Sequence, residues 1–158
     1  MKKLKVYLDT SVISHLDHPD APENMQQTLK FWDELVKGLY WVFISEIVLL
    51  EINKCPEHKR LKMLEYINSI RYDEIIIDNE IIELARKYVS EGIIPGKYID
   101  DALHIAAATV ADCDILASWN FKHIVRSKTI FGVNGVNRLF GYKEIQLLTP
   151  GIIIGEEG

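Results

Sequence analysis

The sequence predicts an α/β domain with a central, mainly parallel sheet. Short apolar runs of strand length alternate with longer stretches of helical periodicity, the pattern of crossover units whose strands lie parallel. A length of 158 residues suits one domain, and folding on that scale removes roughly 70% of the unfolded chain's surface from water. With 48% hydrophobic and 26% charged residues, 9 Gly and 5 Pro, the composition supports a packed core under a solvated surface rather than a disordered chain.

The first strand is Lys5 to Leu8, an apolar run stopped by Asp9. After the polar, proline-marked loop "HLDHPDAPEN", Glu23 to Lys37 has the period of a helix. Trp41 to Ile44 is the second strand, followed by helices over Ser45 to Asn53 and Glu57 to Ile70. The third strand falls at Ile75 to Ile77, and the helix Asn79 to Glu91 is ended by Gly92. Pro95 and Gly96 turn the chain into a helix over Asp101 to Ala111. Ile115 to Ala117, a helix over Val133 to Phe140, and Ile145 to Leu148 complete the pattern. Residues 1–150 therefore read as a single domain and 151–158 as a C-terminal tail whose "GEEG" end frays. No linker, internal repeat or low-complexity tract divides the chain.

Several function classes fall away on composition. Cys55 and Cys113 are far apart and belong to no CxxC or Cys/His array, which argues against a disulfide framework and structural zinc and for a reducing, cytoplasmic location. "MKKLKVYLDTS" is broken by Asp9 too early for a signal peptide, and no apolar run reaches the ~18 residues a membrane span needs. The net charge is -5, from 18 basic and 23 acidic side chains, so a polyanion has to meet a local basic patch. Lys122, His123, Arg126 and Lys128 form one candidate, and His58, Lys59, Arg60 and Lys62 another.

Four positions hold the chemistry: Asp9 in "VYLDTS", Glu51 in "ISEIVLLEINK", Asp101 in "YIDDALHIAAA" and Asn120 in "ILASWNFKHI". Asp9 and Asn120 follow strands at their carboxyl ends, where open α/β sheets place ligand crevices. At about 100° per residue Glu51 projects between Ile47 and Val48 on a largely apolar helix, so it points inward, whereas Glu46 projects toward solvent. Asp101 opens a helix whose small residues allow close packing, with Asp100 as the competing cap and Asp101 facing the crevice. Carboxylates about 4 Å apart repel by roughly 4 kcal/mol at an effective dielectric of 20. A hard divalent cation reverses that penalty, and carboxylate oxygens suit Mg²⁺ or Mn²⁺. Such an ion orients a phosphodiester and acidifies a bound water, which makes hydrolysis of a nucleic-acid backbone the natural reaction. Lys122 and Arg126, four apart on one helical face, would hold flanking phosphates.

Plainer readings stand beside these. Asp9 and Asp101 each serve as helix caps, Glu51 pairs with Lys54, and Lys122, His123 and Arg126 make a solvated face. His104 lies one turn beyond Asp101 and is read mainly as a core residue, while His15 and His18 belong to the surface. Ser45 reads as a helix cap, and Thr10 and Ser118 brace the acids or bond backbone. Ser11 occupies the place where a haloacid dehalogenase needs its second Asp, a phospho-receiver's acidic pair is missing, and no GxxxxGK[ST] phosphate loop occurs.

Taken in order and with their strand and helix context, these residues resemble the PIN-domain ribonucleases, which include the VapC-type toxins of toxin-antitoxin pairs. "LDTSV" looks like the family's first-strand Asp motif, Glu51 like its helix Glu, "IDDALHIAAA" like its Asp-Ala-Leu helix start, and "ILASWNFKHI" like the strand bearing its fourth acidic position. The resemblance covers nearly the whole chain. It implies a PIN-like three-layer α/β/α sandwich, dependence on Mg²⁺ or Mn²⁺, RNA as substrate, frequent homodimers and inhibition by a small antitoxin. Asp9, Glu51, Asp101 and Asn120 would be the catalytic and metal-binding set, with Asp9 and Asp101 as inner ligands. Asn120 stands where many members have Asp; its carbonyl can accept but brings no charge to a metal. The rival expectation is therefore a PIN fold that binds RNA or a protein without cutting.

Overall fold

A computed structural model describes residues 2–155. Five strands form one sheet in the order β3-β2-β1-β4-β5. They are β1 (Lys5–Leu8), β2 (Trp41–Ser45), β3 (Asp73–Ile75), β4 (Ile115–Ala117) and β5 (Gln146–Leu148). Every pairing is parallel, with Tyr7 opposite Phe43 on one side and Leu116 on the other. β1 and β4 are buried throughout or nearly so, as central parallel strands must be.

The helices are α1 (Thr10–Ser14), α2 (Pro22–Val36), α3 (Glu46–Asn53), α4 (Glu57–Ile67), α5 (Asn79–Ser90), α6 (Ile99–Val110), α7 (Ser127–Leu139) and α8 (Pro150–Ile153). Contacts sort them into two layers. α5 packs against α6 and α7 on one side, while α1 meets α4 and α2 meets α8 on the other. α3 touches both α4 and α6. The core between them includes Tyr7, Phe31, Ile44, Leu84 and Tyr88. Together these layers give the expected α/β/α sandwich around a wholly parallel sheet.

Differences from the sequence-based expectations have local causes. β3 lies at Asp73–Ile75 rather than Ile75 to Ile77, because Phe43, Ile44 and Ser45 of β2 pair with Asp73, Glu74 and Ile75. The Ile77 N–H then donates to Glu46 Oε1 at 2.7 Å, which gives Glu46 a structural task instead of a purely solvated one. α7 starts at Ser127, well before Val133; Thr129, whose hydroxyl donates to the His123 carbonyl at 2.8 Å, anchors the added turns. α6 starts at Ile99, so neither Asp100 nor Asp101 is its cap and both sit in the first turn. Residues 150–153, expected in part as the start of a tail, form α8, in which Pro150 and Gly151 are buried. Within "GEEG" only Gly155 belongs to the described residues. Gly92 ends α5 in the left-handed region at φ +75° as expected.

Among the described residues no helix is long and apolar enough to cross a membrane.

Candidate active site

The chain runs from β1 outward to β2 and β3, then crosses back to β4 and β5 on the other side of β1. The carboxyl ends of β1 and β4 therefore flank the point where the sheet order reverses, which is where parallel sheets open a crevice. Asp9 leaves β1 there, and its backbone N–H is held by the Ala117 carbonyl of β4 at 3.0 Å. The residue is only 5% exposed, a costly position for a carboxylate without partners. Two hydroxyls meet it. Ser11 Oγ and Ser118 Oγ each donate to Asp9 Oδ2 at 2.7 Å. Asp9 makes no side-chain cap to α1, so its carboxylate belongs to the crevice.

Glu51 reaches the same place from α3. Its Oε1 accepts from Thr10 Oγ1 at 2.6 Å and from His104 Nε2 at 2.6 Å. His104 Nε2 is also 3.5 Å from Asp9 Oδ1, and atoms of Asp9, Glu51 and His104 suited to hold a cation lie within 4.8 Å of one another. Burial resists ionisation of Glu51, yet the hydrogen bond and charge of His104, with help from Thr10 and Lys54, bring its carboxyl below the usual range. Lys54 thus contributes at a distance, and the bonded partners of Glu51 are His104 and Thr10.

His104 is both a buried residue and part of the site. It is 1% exposed, and its Nδ1 lies 2.7 Å from the Tyr7 hydroxyl, which lies 2.8 Å from Ser45 Oγ. Ser45 precedes α3 but spends its side chain on Tyr7 instead of capping the helix. Burial disfavours imidazolium, but Glu51, Asp9 and Asp101 outweigh it and raise the His104 pKa. Burial first, then the charges of Asp9 and Glu51, push the Tyr7 phenol well above its ordinary value while Ser45 opposes them. Tyr7 is therefore a neutral hydroxyl that can donate to His104 and accept from Ser45, or the reverse, so the chain of bonds supports either charge state of His104.

Asp101 is half-buried on the first turn of α6, while Asp100 is exposed. Burial raises the Asp101 pKa and the Asp9 charge adds to it; His104, His123 and Asn120 favour the charged form. Asp9 and Asp101 thus feel each other's charge, although Asp101 stands outside the tightest cluster of Asp9, Glu51 and His104. Asn120 Oδ1 accepts the His123 backbone N–H at 2.9 Å, which directs its carbonyl into the loop and leaves its amide toward Asp101. In this orientation Asn120 acts as a donor beside the carboxylates.

Lys122 and Arg126 are exposed, but they do not share a helical face: residues 121–126 are turn and bend, with Arg126 Nη1 donating to the Lys122 carbonyl at 3.1 Å. Lys122 Nζ lies 5.8 Å from the centre of the Tyr98 ring. His123 is buried, its ring tilted against that of Tyr98 with centroids 4.0 Å apart, and does not belong to a solvated face. In the other basic run, Lys59 donates to the Ser14 and Asp17 carbonyls and Lys62 pairs with Asp17, so much of that charge ties α4 to the segment after α1. Sequence reasoning missed Ser11 and Tyr7. Ser11 stands two residues after Asp9, within reach for a local side-chain bond, and Tyr7 is a polar tip inside a buried strand.

The donor set fits a hard cation. His104 presents a protonated Nε2 to Glu51, leaving carboxylate oxygens of Asp9, Glu51 and Asp101 as the anionic groups. No family model matches the chain, and no curated protein does. Among solved structures, the chain is similar to VapBC2 from Rickettsia felis bound to a DNA fragment from their promoter, with 17% identity, a TM-score of 0.57, and coverage of 92% of this chain and 98% of that one. The parallel five-stranded sheet, its two helical layers and this likeness give the protein a PIN-like α/β/α fold, as its sequence motifs implied.

Proposed function

We propose that the protein is a divalent-metal-dependent ribonuclease that hydrolyses RNA phosphodiester bonds. The observation that supports this most directly is the meeting of Asp9 and Glu51 at the switch point of the sheet, with Asp101 coupled to Asp9 through its charge. Asp9 and Asp101 would hold Mg²⁺ or Mn²⁺, with Glu51 acting directly or through water. When bound, the ion would supply an acidified water and offset charge on the phosphate.

The chain's own groups would do the rest. Ser11 and Ser118 fix the rotamer of Asp9, Thr10 and His104 fix Glu51, and the amide of Asn120 supports ionised Asp101. Lys122 and Arg126 would meet flanking phosphates from the exposed loop after β4. On this reading the protein acts in the cytoplasm on RNA, pairs with a second copy, and is held in check by a small antitoxin. The VapBC2 likeness supports that last element.

The test is Mn²⁺-stimulated cleavage of RNA by the wild type, Asp9→Asn and Asp101→Asn. The two variants should lose at least about 100-fold, as expected when a charged group acting in the transition state is removed. Equal activity in all three proteins would defeat the assignment. A second reading, a module that binds RNA or protein without cutting, is favoured by the orientation of Asn120. RNA affinity and product formation measured on one preparation separate the two, and activity that emerges only in Asn120→Asp would establish binding without cutting for the native chain.

A further inference from the structure

We infer that Phe121 is a stacking platform for one unpaired base of the RNA, held beside the acidic crevice by Trp119 and His15. The inference rests on RNA as the substrate and adds the side chain that meets a base next to the cut. Phe121 is 56% exposed. A lone apolar side chain on a surface needs no explanation, but this ring stands at the end of an aromatic row. Its centre lies 6.1 Å from that of Trp119 at an interplanar angle of 62°, and Trp119 is stacked with His15, their centres 5.6 Å apart. Trp119 is itself buried, its Nε1 donating to Thr28 Oγ1 at 2.8 Å, and His15 Nδ1 donates to the Ser11 carbonyl at 2.8 Å.

The row is rooted in the crevice. Ser118 Oγ donates to Asp9 Oδ2, the Trp119 backbone N–H donates to Ser11 Oγ, which also bonds Asp9, and the Asn120 side chain bonds Asp101. Phe121 is the next residue, one Cα step of about 3.8 Å beyond Asn120. Main-chain bonds fix the loop that carries it: the Phe121 N–H donates to the Trp119 carbonyl at 3.0 Å, and those of Ile124 and Val125 both donate to the Asn120 carbonyl, at 3.1 and 2.8 Å. An exposed ring on a rigid support loses little freedom when a ligand covers it. Every base has a π face, so such a ring takes bases of any identity, and a base reaches it only when unpaired. Duplex RNA keeps its bases stacked on one another and gains nothing from the ring. Lys122, exposed and next in the chain, supplies a cation for the phosphate of the same nucleotide. Phe121 then touches substrate, and Trp119 and His15 are positioning residues.

The experiment measures, by stopped-flow fluorescence anisotropy in Mg²⁺, the affinity of the full chain for a short dye-labelled single-stranded RNA and for a duplex RNA, with cleavage followed on the same samples. Phe121→Ala should weaken single-strand binding roughly 5- to 150-fold, the range that loss of one base–aromatic stack produces, and leave duplex binding unchanged. Phe121→Trp, which keeps an aromatic face, should bind the single strand as wild type does. Leu139 is also exposed, but α7 runs back from the carboxyl end of β4 to the amino end of β5, which puts its last turn at the far end of the sheet. Leu139→Ala should therefore bind both RNAs as wild type, and circular dichroism shows that each variant is folded. Unchanged single-strand affinity in Phe121→Ala, or an equal loss for the duplex, overturns the inference, and cleavage by the wild type in that case leaves the nuclease reading intact. Phe121-dependent single-strand binding without cleavage supports the platform and overturns the nuclease. Failure of the wild type to bind either RNA overturns both.

Discussion

Buried Asp9 and half-buried Glu51 are tolerated because hydroxyls and one imidazole take the place of the water they give up. That arrangement makes stability depend on pH in a direction that can be worked out. His104 titrates above its unfolded value of 6.5, so its contribution is fully present below that pH and is lost as pH rises through the raised value. Glu51 titrates below 4.5, so its contribution is present above that pH and is lost on acidification. Asp101, raised above 3.8 by burial and Asp9, works against folding as it ionises. In a chelating buffer the thermal midpoint should therefore be highest between 4.5 and 6.5. The alkaline decline should flatten in His104→Gln. An unchanged alkaline slope in that variant would detach the decline from His104.

At the scale of elements, α7 offers a paired test in one helix. A Cβ at Gly132 would stand 2.7 Å from Ile93 Cγ1, whereas one at Gly135 meets nothing within 4 Å. Gly132→Ala forces the buried Ile93 side chain to shift and should cost about 1 to 3 kcal/mol. Gly135→Ala removes backbone freedom from the unfolded chain and should stabilise by about 0.5 to 1 kcal/mol. Urea denaturation of the two variants reads both signs. Gly132 lies just before Val133, where the sequence reading began this helix, and marks close packing against Ile93, whereas Gly135 faces solvent.

For the molecule as a whole, residues 150–154 belong to the packed body. α8 lies against α2, Thr149 caps it by accepting the Ile152 N–H, and Ile153 and Ile154 pack on the core. Deleting residues 150–158 removes that apolar contact, a loss of about 2 kcal/mol at the scale of one buried aliphatic side chain. The midpoint of thermal unfolding should drop by roughly 4 to 8 °C. An unaltered midpoint would return the segment to the status of a tail.

The sequence by itself determined the alternation of strands and helices and the parallel sheet, while the α/β/α layering came from the family resemblance. The alternation follows from local apolar periodicity, which a linear pattern records. The sequence also marked Asp9, Glu51 and Asp101, since a carboxylate at the end of a buried strand or on an apolar helix face conflicts with its surroundings unless it has a task. Only the tertiary structure decided which acids meet most closely, that His104 joins Glu51 to Tyr7, and that Asn120 turns its carbonyl away. Those contacts bridge residues far apart in the chain, such as Asp9 and Ser118. Their geometry depends on strand register and side-chain rotamer, which no single stretch of sequence encodes. The same holds for β3, whose place was set by pairing with β2 rather than by its own hydrophobicity.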